Sequence, residues 1–155
     1  QAMNQDATPA PKPVIYTDSE LQMARDVIKD CAFVSDETRE YYCPPIALWI
    51  HYCNKYCKGN VEVTDSRLAD YFGWLVDSGV AESMRQDNEH IQLVLFTELR
   101  GVWCYWRIQN EGITTNKDPR KSHVFLTKWN SIIQRYPYKR QPRHNQAIYS
   151  PASSL

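Results

Sequence analysis

Two sets of side chains have the types and spacing that chemistry would need. The first is sulfur and imidazole. Cys53 and Cys57 are four residues apart on one helical face, with Cys43 and His51 just upstream, a set that could hold zinc. Zinc usually takes its cysteines from turn-borne CxxC knuckles, and His51 points off the Cys53 face, so Cys53 is expected in the packing rather than on a metal. Cys104 with His90 or His123 could imitate a Cys–His pair, but no local motif accompanies it. The second set is cationic and aromatic. In "LRGVWCYWRIQNEG", residues 99–112, Arg100 and Arg107 bracket two tryptophans and a tyrosine. Such a stretch either stacks nucleic-acid bases or forms a helix with a buried seam and a basic edge.

Other chemistries are poorly represented. The chain has no Walker-type loop, no GxSxG and no HExxH, and its five scattered glycines cannot cradle a phosphate. Neither an enzyme nor a cofactor is expected. At 155 residues the chain is long enough for one domain with a hydrophobic core. No apolar run reaches the roughly 20 residues of a membrane span, so no membrane partner is expected. Five cysteines make an odd set without a framework, which predicts reduced thiols and a cytosolic or nuclear chain.

Net charge is zero, but its distribution is uneven. Residues 1–116 hold 10 of the 18 Lys+Arg and 17 of the 18 Asp+Glu, a balance of −7. Residues 117–155 hold the other 8 bases and only Asp118, a balance of +7. Segments of opposite sign point to a polyanion or to a charged protein surface as partner.

The elements that must position these groups read as helices. Residues 1–16 are a polar, proline-bearing lead-in with the composition of disorder, residues 17–136 a helical domain, and residues 137–155 a basic, proline-containing tail. A first helix spans "TDSELQMARDVIKDCAFV", capped by Thr17 or Asp18, with Glu20 in its first turn. "SDETREYY" gives a further stretch, and Pro44 and Pro45 set a break. Pro45 then opens a helix with Trp49, Tyr52, Cys53 and Tyr56 facing the core, ended by Gly59. Thr64 or Asp65 caps the next helix, whose face is Leu68, Tyr71, Phe72, Leu75 and Val76; Gly79 stops it, and Gly73 predicts a close neighbour. "VAESMRQDNEH" reads as a loop. A long helix from about Asn88 to Asn110 buries Ile91, Leu95, Leu99, Val102 and Trp106, widened by Val94 and Trp103, and Gly101 again allows close packing. On this reading Trp106 belongs to the core and Arg100 and Arg107 to one exposed edge. Asp118 or Ser122 caps a last helix with Phe125, Trp129, Ile132 and Tyr136 on one face, ended by Pro137. No strand or internal repeat is evident. The expected fold is all-α, a bundle of four to five helices.

The order "ALWIHYCNKYC", "VTDSRLADYFGWLV", "LFTELRGVWCYWRIQ", "NKDPRKSHVFLTKW" resembles the N-terminal, core-binding domain of tyrosine recombinases. It is most similar to the fungal Crypton-type elements and their domesticated relatives, which include the DNA-binding subunit of the point-centromere kinetochore complex and fungal transcription regulators. The resemblance covers roughly residues 38–136 and rests on Trp106 to Gln109 and on Pro119 and Arg120 before the last helix. It implies a helical bundle that clamps duplex DNA beside a second domain, in a larger nuclear protein acting in transcription or on the chromosome. It places Arg107, Arg120, Lys121 and Lys128 near DNA. The family's strand-cleaving residues belong to a C-terminal domain for which the 19 residues after Tyr136 leave no room, so no catalysis is expected here. The candidate DNA-contacting residues are Arg100, Arg107, Lys117, Arg120, Lys121, Ser122, His123, Lys128, Lys139, Arg140 and Arg143. The rival expectation is a helical protein–protein interaction or dimerisation module, with a protein partner or a second copy of the chain in place of DNA.

Overall fold

The computed structural model describes residues 14–137. They form six α-helices and one 3₁₀ turn, and no strand occurs among them. The helices are α1 (Asp18–Ile28), α2 (Asp36–Tyr56), α3 (Asp65–Asp77), α4 (Val80–Met84), α5 (Ile91–Gln109) and α6 (His123–Gln134), with the 3₁₀ turn at Pro119–Lys121. Helix α2 runs through the centre, packed on α1 and α5, while α6 packs chiefly on α3.

Helix α1 begins in a capping box. The Thr17 hydroxyl accepts from the Glu20 amide at 3.1 Å, and the Glu20 carboxylate accepts from the Thr17 amide at 2.8 Å. These two bonds satisfy donors that a helix start leaves open. The helix stops at Ile28, short of the stretch expected through Val34. Arg39 fixes the departing chain by donating to the Cys31 carbonyl at 2.8 Å, and Ser35 caps α2.

The break expected at Pro44 and Pro45 is absent, and α2 continues through both. Two prolines remove two donors from the intrahelical ladder and ordinarily end a helix. The carbonyls left without these donors belong to Glu40 and Tyr41, which are exposed. The ring of Pro45 is buried against Gly101 of α5, where a Cβ would lie 2.5 Å from the Pro45 Cβ and Cγ. The close packing foreseen at Gly101 thus seats the proline that was expected to interrupt the chain. Beyond it Ile46 to Ile50 are all buried, so this stretch of the helix is apolar around its whole circumference. Tyr56, expected in the core stripe, is instead 51% exposed.

Helix α3 is capped by Thr64 and buries Leu68, Tyr71, Phe72 and Leu75, with Val76 half-buried at the edge. Its aromatic rings join three helices: Tyr71 meets Trp49 edge-on at 5.0 Å, and Phe72 meets Trp129 of α6 at 5.3 Å. The segment expected as a loop after Gly79 contains α4, which buries Ala81. Helix α5 starts at Ile91 behind His90 and buries Ile91, Val94, Leu95 and Val102 together with Gln92, Glu98 and Tyr105. The centre of this face lies away from the expected stripe, so Leu99, Trp103 and Trp106 are only half-buried. Both candidate caps of the last helix are used. Asp118 caps the 3₁₀ turn and Ser122 caps α6, which buries Phe125 and Ile132 and leaves Trp129 and Tyr136 half-buried.

Candidate nucleic-acid interface

The C-terminal half of α5 and the 3₁₀ turn at Pro119–Lys121 meet around Trp103. The Arg120 guanidinium lies 4.3 Å from the Trp103 ring centre, and that of Arg107 lies 5.2 Å from it. Arg107 also covers Phe33, from the turn between α1 and α2, at 3.8 Å. Two arginines from different elements thus share one indole, each held by the negative face of an aromatic ring. The sequence offered Trp103 as a seam residue and gave no sign of Phe33, because a contact across seventy residues leaves no local pattern.

Arg120 has a second commitment. Its Nη2 donates to Asp118 Oδ2 at 2.6 Å, its Nε donates to both carboxylate oxygens at 3.1 Å, and its amide donates to Asp118 Oδ1 at 2.9 Å. Burial pushes the Asp118 carboxyl up, but the bonds from Arg120 outweigh it and hold the group below its ordinary value. This is a charge-assisted pair in a partly buried setting, strong by the standard of surface pairs.

Beside the stack opens a cleft of about 810 Å³ between the starts of α3 and α6 and the end of α5. Lys117, Lys121 and Ser122 line it, with Trp106, Thr64 and Asp65 opposite. Ser122 spans the cleft by donating its hydroxyl to Asp65 Oδ2 at 2.7 Å, while its oxygen also caps the Val124 amide at 3.1 Å. Asp65 and Asp118 are therefore engaged by Ser122 and Arg120, while a third carboxylate, Glu62, also lines the cleft. Lys117 and Lys121 are exposed and form no ion pair among the described residues.

Of the predicted site residues, the structure brings together Arg107, Arg120, Lys117, Lys121 and Ser122, with His123 exposed alongside. Arg100 is exposed seven residues before Arg107, roughly 10 Å away along the same edge of α5. Lys128 is turned elsewhere: its ammonium-bearing methylene lies where a Cβ on Gly73 would be 2.8 Å away, so it is the neighbour that Gly73 predicts. Lys139, Arg140 and Arg143 lie outside the described residues.

Gln109, part of the stretch that carries the family resemblance, has a framework role. Its amide donates to the Val61 carbonyl at 2.8 Å and accepts from the Val63 amide at 2.9 Å, imitating a strand partner for the chain before α3. The cysteines are likewise in the packing. Cys53 and Cys104 are fully buried, and burial pushes both thiols up to about 12, far from a reactive thiolate at neutral pH. His51 points away from them to Glu20, 2.9 Å distant. Among the described residues no three His, Cys, Asp or Glu side chains are grouped to hold a metal ion, and no helix is long and apolar enough to cross a membrane. Compared with family models, with curated proteins and with solved structures, the chain matches none.

Proposed function

We propose that this chain binds duplex DNA through the surface around Trp103, as a domain of a larger nuclear protein of recombinase-like ancestry. The observation that carries the reading is the convergence of Arg107 and Arg120 on one indole beside the exposed Lys117 and Lys121, neither of which forms an ion pair within 4 Å among the described residues. Arginine–aromatic stacks hold guanidinium groups at fixed positions, and lysines on an adjoining rim meet phosphates without demanding one geometry. The start of α6 adds the partial positive charge of a helix N-terminus, together with Ser122 and His123. The binding is carried mainly by the DNA backbone, with Ser122 and His123 available to reach phosphate or base edges, and sequence preference is shared with another domain or partner. No strand cleavage is proposed for this chain.

The test is a binding series against random-sequence duplex across salt concentrations. Four phosphate contacts, from Arg100, Arg107, Lys117 and Lys121, give a slope of log K against log salt of about −3.6. Absence of binding at low salt, or binding with a flat salt response, would overturn the proposal.

A further inference from the structure

Beside the N-terminal half of α5, a second groove of about 590 Å³ has a different character. Its walls are apolar: Pro44, Pro45 and Leu48 come from α2, Val94 from α5, and Met84 from the end of α4. Tyr16 and Tyr41 stand at its sides, Tyr41 54% exposed. Its charged lining consists of carboxylates only, Glu40, Glu89 and Glu98, with no lysine or arginine among the lining residues. Arg25 pairs with Glu40 at 3.9 Å, both side chains of that pair being well exposed, and Arg85 donates to the Glu89 carbonyl at 3.3 Å. Glu98 is 7% exposed on α5. Burial, the largest cause, raises the Tyr16 phenol at the groove wall above its ordinary value.

We infer that this groove docks a short segment of a partner protein that carries arginine or lysine between apolar residues. The basic groups would meet Glu40 and Glu89, and the apolar residues would cover Pro44, Met84 and the two tyrosine rings. Apolar walls supply burial and the carboxylates supply selection by charge, a division common at protein interfaces. Duplex DNA, the occupant proposed for the other surface, is repelled here. This inference therefore stands independently of the DNA reading.

The probe is a short capped peptide alternating arginine with leucine, titrated into the ¹⁵N-labelled full chain. A control peptide has glutamine in place of each arginine. The expected result is binding of the arginine peptide, with amide shifts gathered on Tyr16, Tyr41, Thr97 and Glu98. The double variant Glu40→Gln with Glu89→Gln removes both charges, keeps one acceptor oxygen on each of two surface-accessible residues, and should weaken binding by roughly tenfold or more. Its affinity for duplex DNA should not fall. Equal binding of the glutamine control, unchanged affinity in the double variant, or shifts gathered elsewhere would overturn the inference. So would a rival occupant within the chain. The Pro137 carbonyl accepts from His90 Nε2 at 3.2 Å, His90 Nδ1 being the acceptor from the Gln92 amide, and Lys139, Arg140 and Arg143 follow Pro137 in sequence. If replacing those three with glutamine moves the same groove amides in the absence of peptide, the groove serves the chain's own basic tail and not a partner.

Discussion

Arg120 and Lys121 are neighbours in the sequence, yet they are held in different ways. Both read alike as cations before a helix, and only the structure separates them. Arg120 is bonded to Asp118 and stacked on Trp103, whereas Lys121 lies exposed on the cleft rim. Arg120→Ala would strip a partly buried carboxylate of its partner and should lower stability by about 1–3 kcal/mol. Lys121→Ala should stay within about 0.5 kcal/mol. Chemical denaturation of the two variants checks this contrast, and equal stabilities would show that the Asp118 pair contributes little. Glu20 makes a second prediction at this scale. Burial pushes its carboxyl up, but bonds from the Thr17 amide, Asn54 and His51 outweigh burial, so the folded group titrates below the unfolded value of 4.5. Its contribution is therefore fully present above about pH 4.5 and is lost as pH falls through the lower folded value. Thermal melts of Glu20→Gln should show a loss of about 1–3 kcal/mol at neutral pH and a shallower acid-side decline than the parent.

Two glycines in helices test how elements are fitted together. At Gly101 an added Cβ meets the ring of Pro45 at 2.5 Å, and a proline ring inside a helix cannot swing away. Gly101→Ala should cost about 1–3 kcal/mol or more through overpacking between α2 and α5. At Gly73 the obstacle is the end of Lys128, 2.8 Å away, which can move into solvent. Gly73→Ala should be neutral or stabilising by up to about 1 kcal/mol, because alanine favours the helix. Urea unfolding of both variants measures the difference, and similar costs at the two sites would contradict it. Gly73 and Gly101 were legible in the sequence as places of close approach, and so were the α3 face and the caps Thr17, Thr64 and Ser122, because each is a local pattern. The prolines were misread for the converse reason. Local rules end a helix at Pro44, and the contact that overrides them lies at Gly101, more than fifty residues away. The T-x-x-E signature of the α1 capping box was present but unread at Thr17 and Glu20. For the candidate site, the sequence supplied the cations and their grouping after residue 116. It could not show that Trp103 lies between Arg107 and Arg120, that Lys128 turns onto α3, or that Asp65 reaches Ser122 across the cleft.

At the scale of the whole molecule, an apolar groove edged by carboxylates and a cleft rimmed by Lys117 and Lys121 are set on one helical bundle, each lined in part by α5. Under the two proposals, one domain meets a DNA backbone and a basic peptide at different surfaces. The central claim is that the basic surface engages DNA phosphates. It is tested most directly by the salt dependence of duplex binding for the parent chain and for Lys117→Ala with Lys121→Ala. Both lysines are exposed and neither forms an ion pair within 4 Å among the described residues, so the double variant should fold with a stability within about 0.5 kcal/mol of the parent. Losing two phosphate contacts should weaken binding to every sequence alike and flatten the slope of log K against log salt by about 1.8. A folded double variant that binds as tightly as the parent, with the same slope, would contradict the claim.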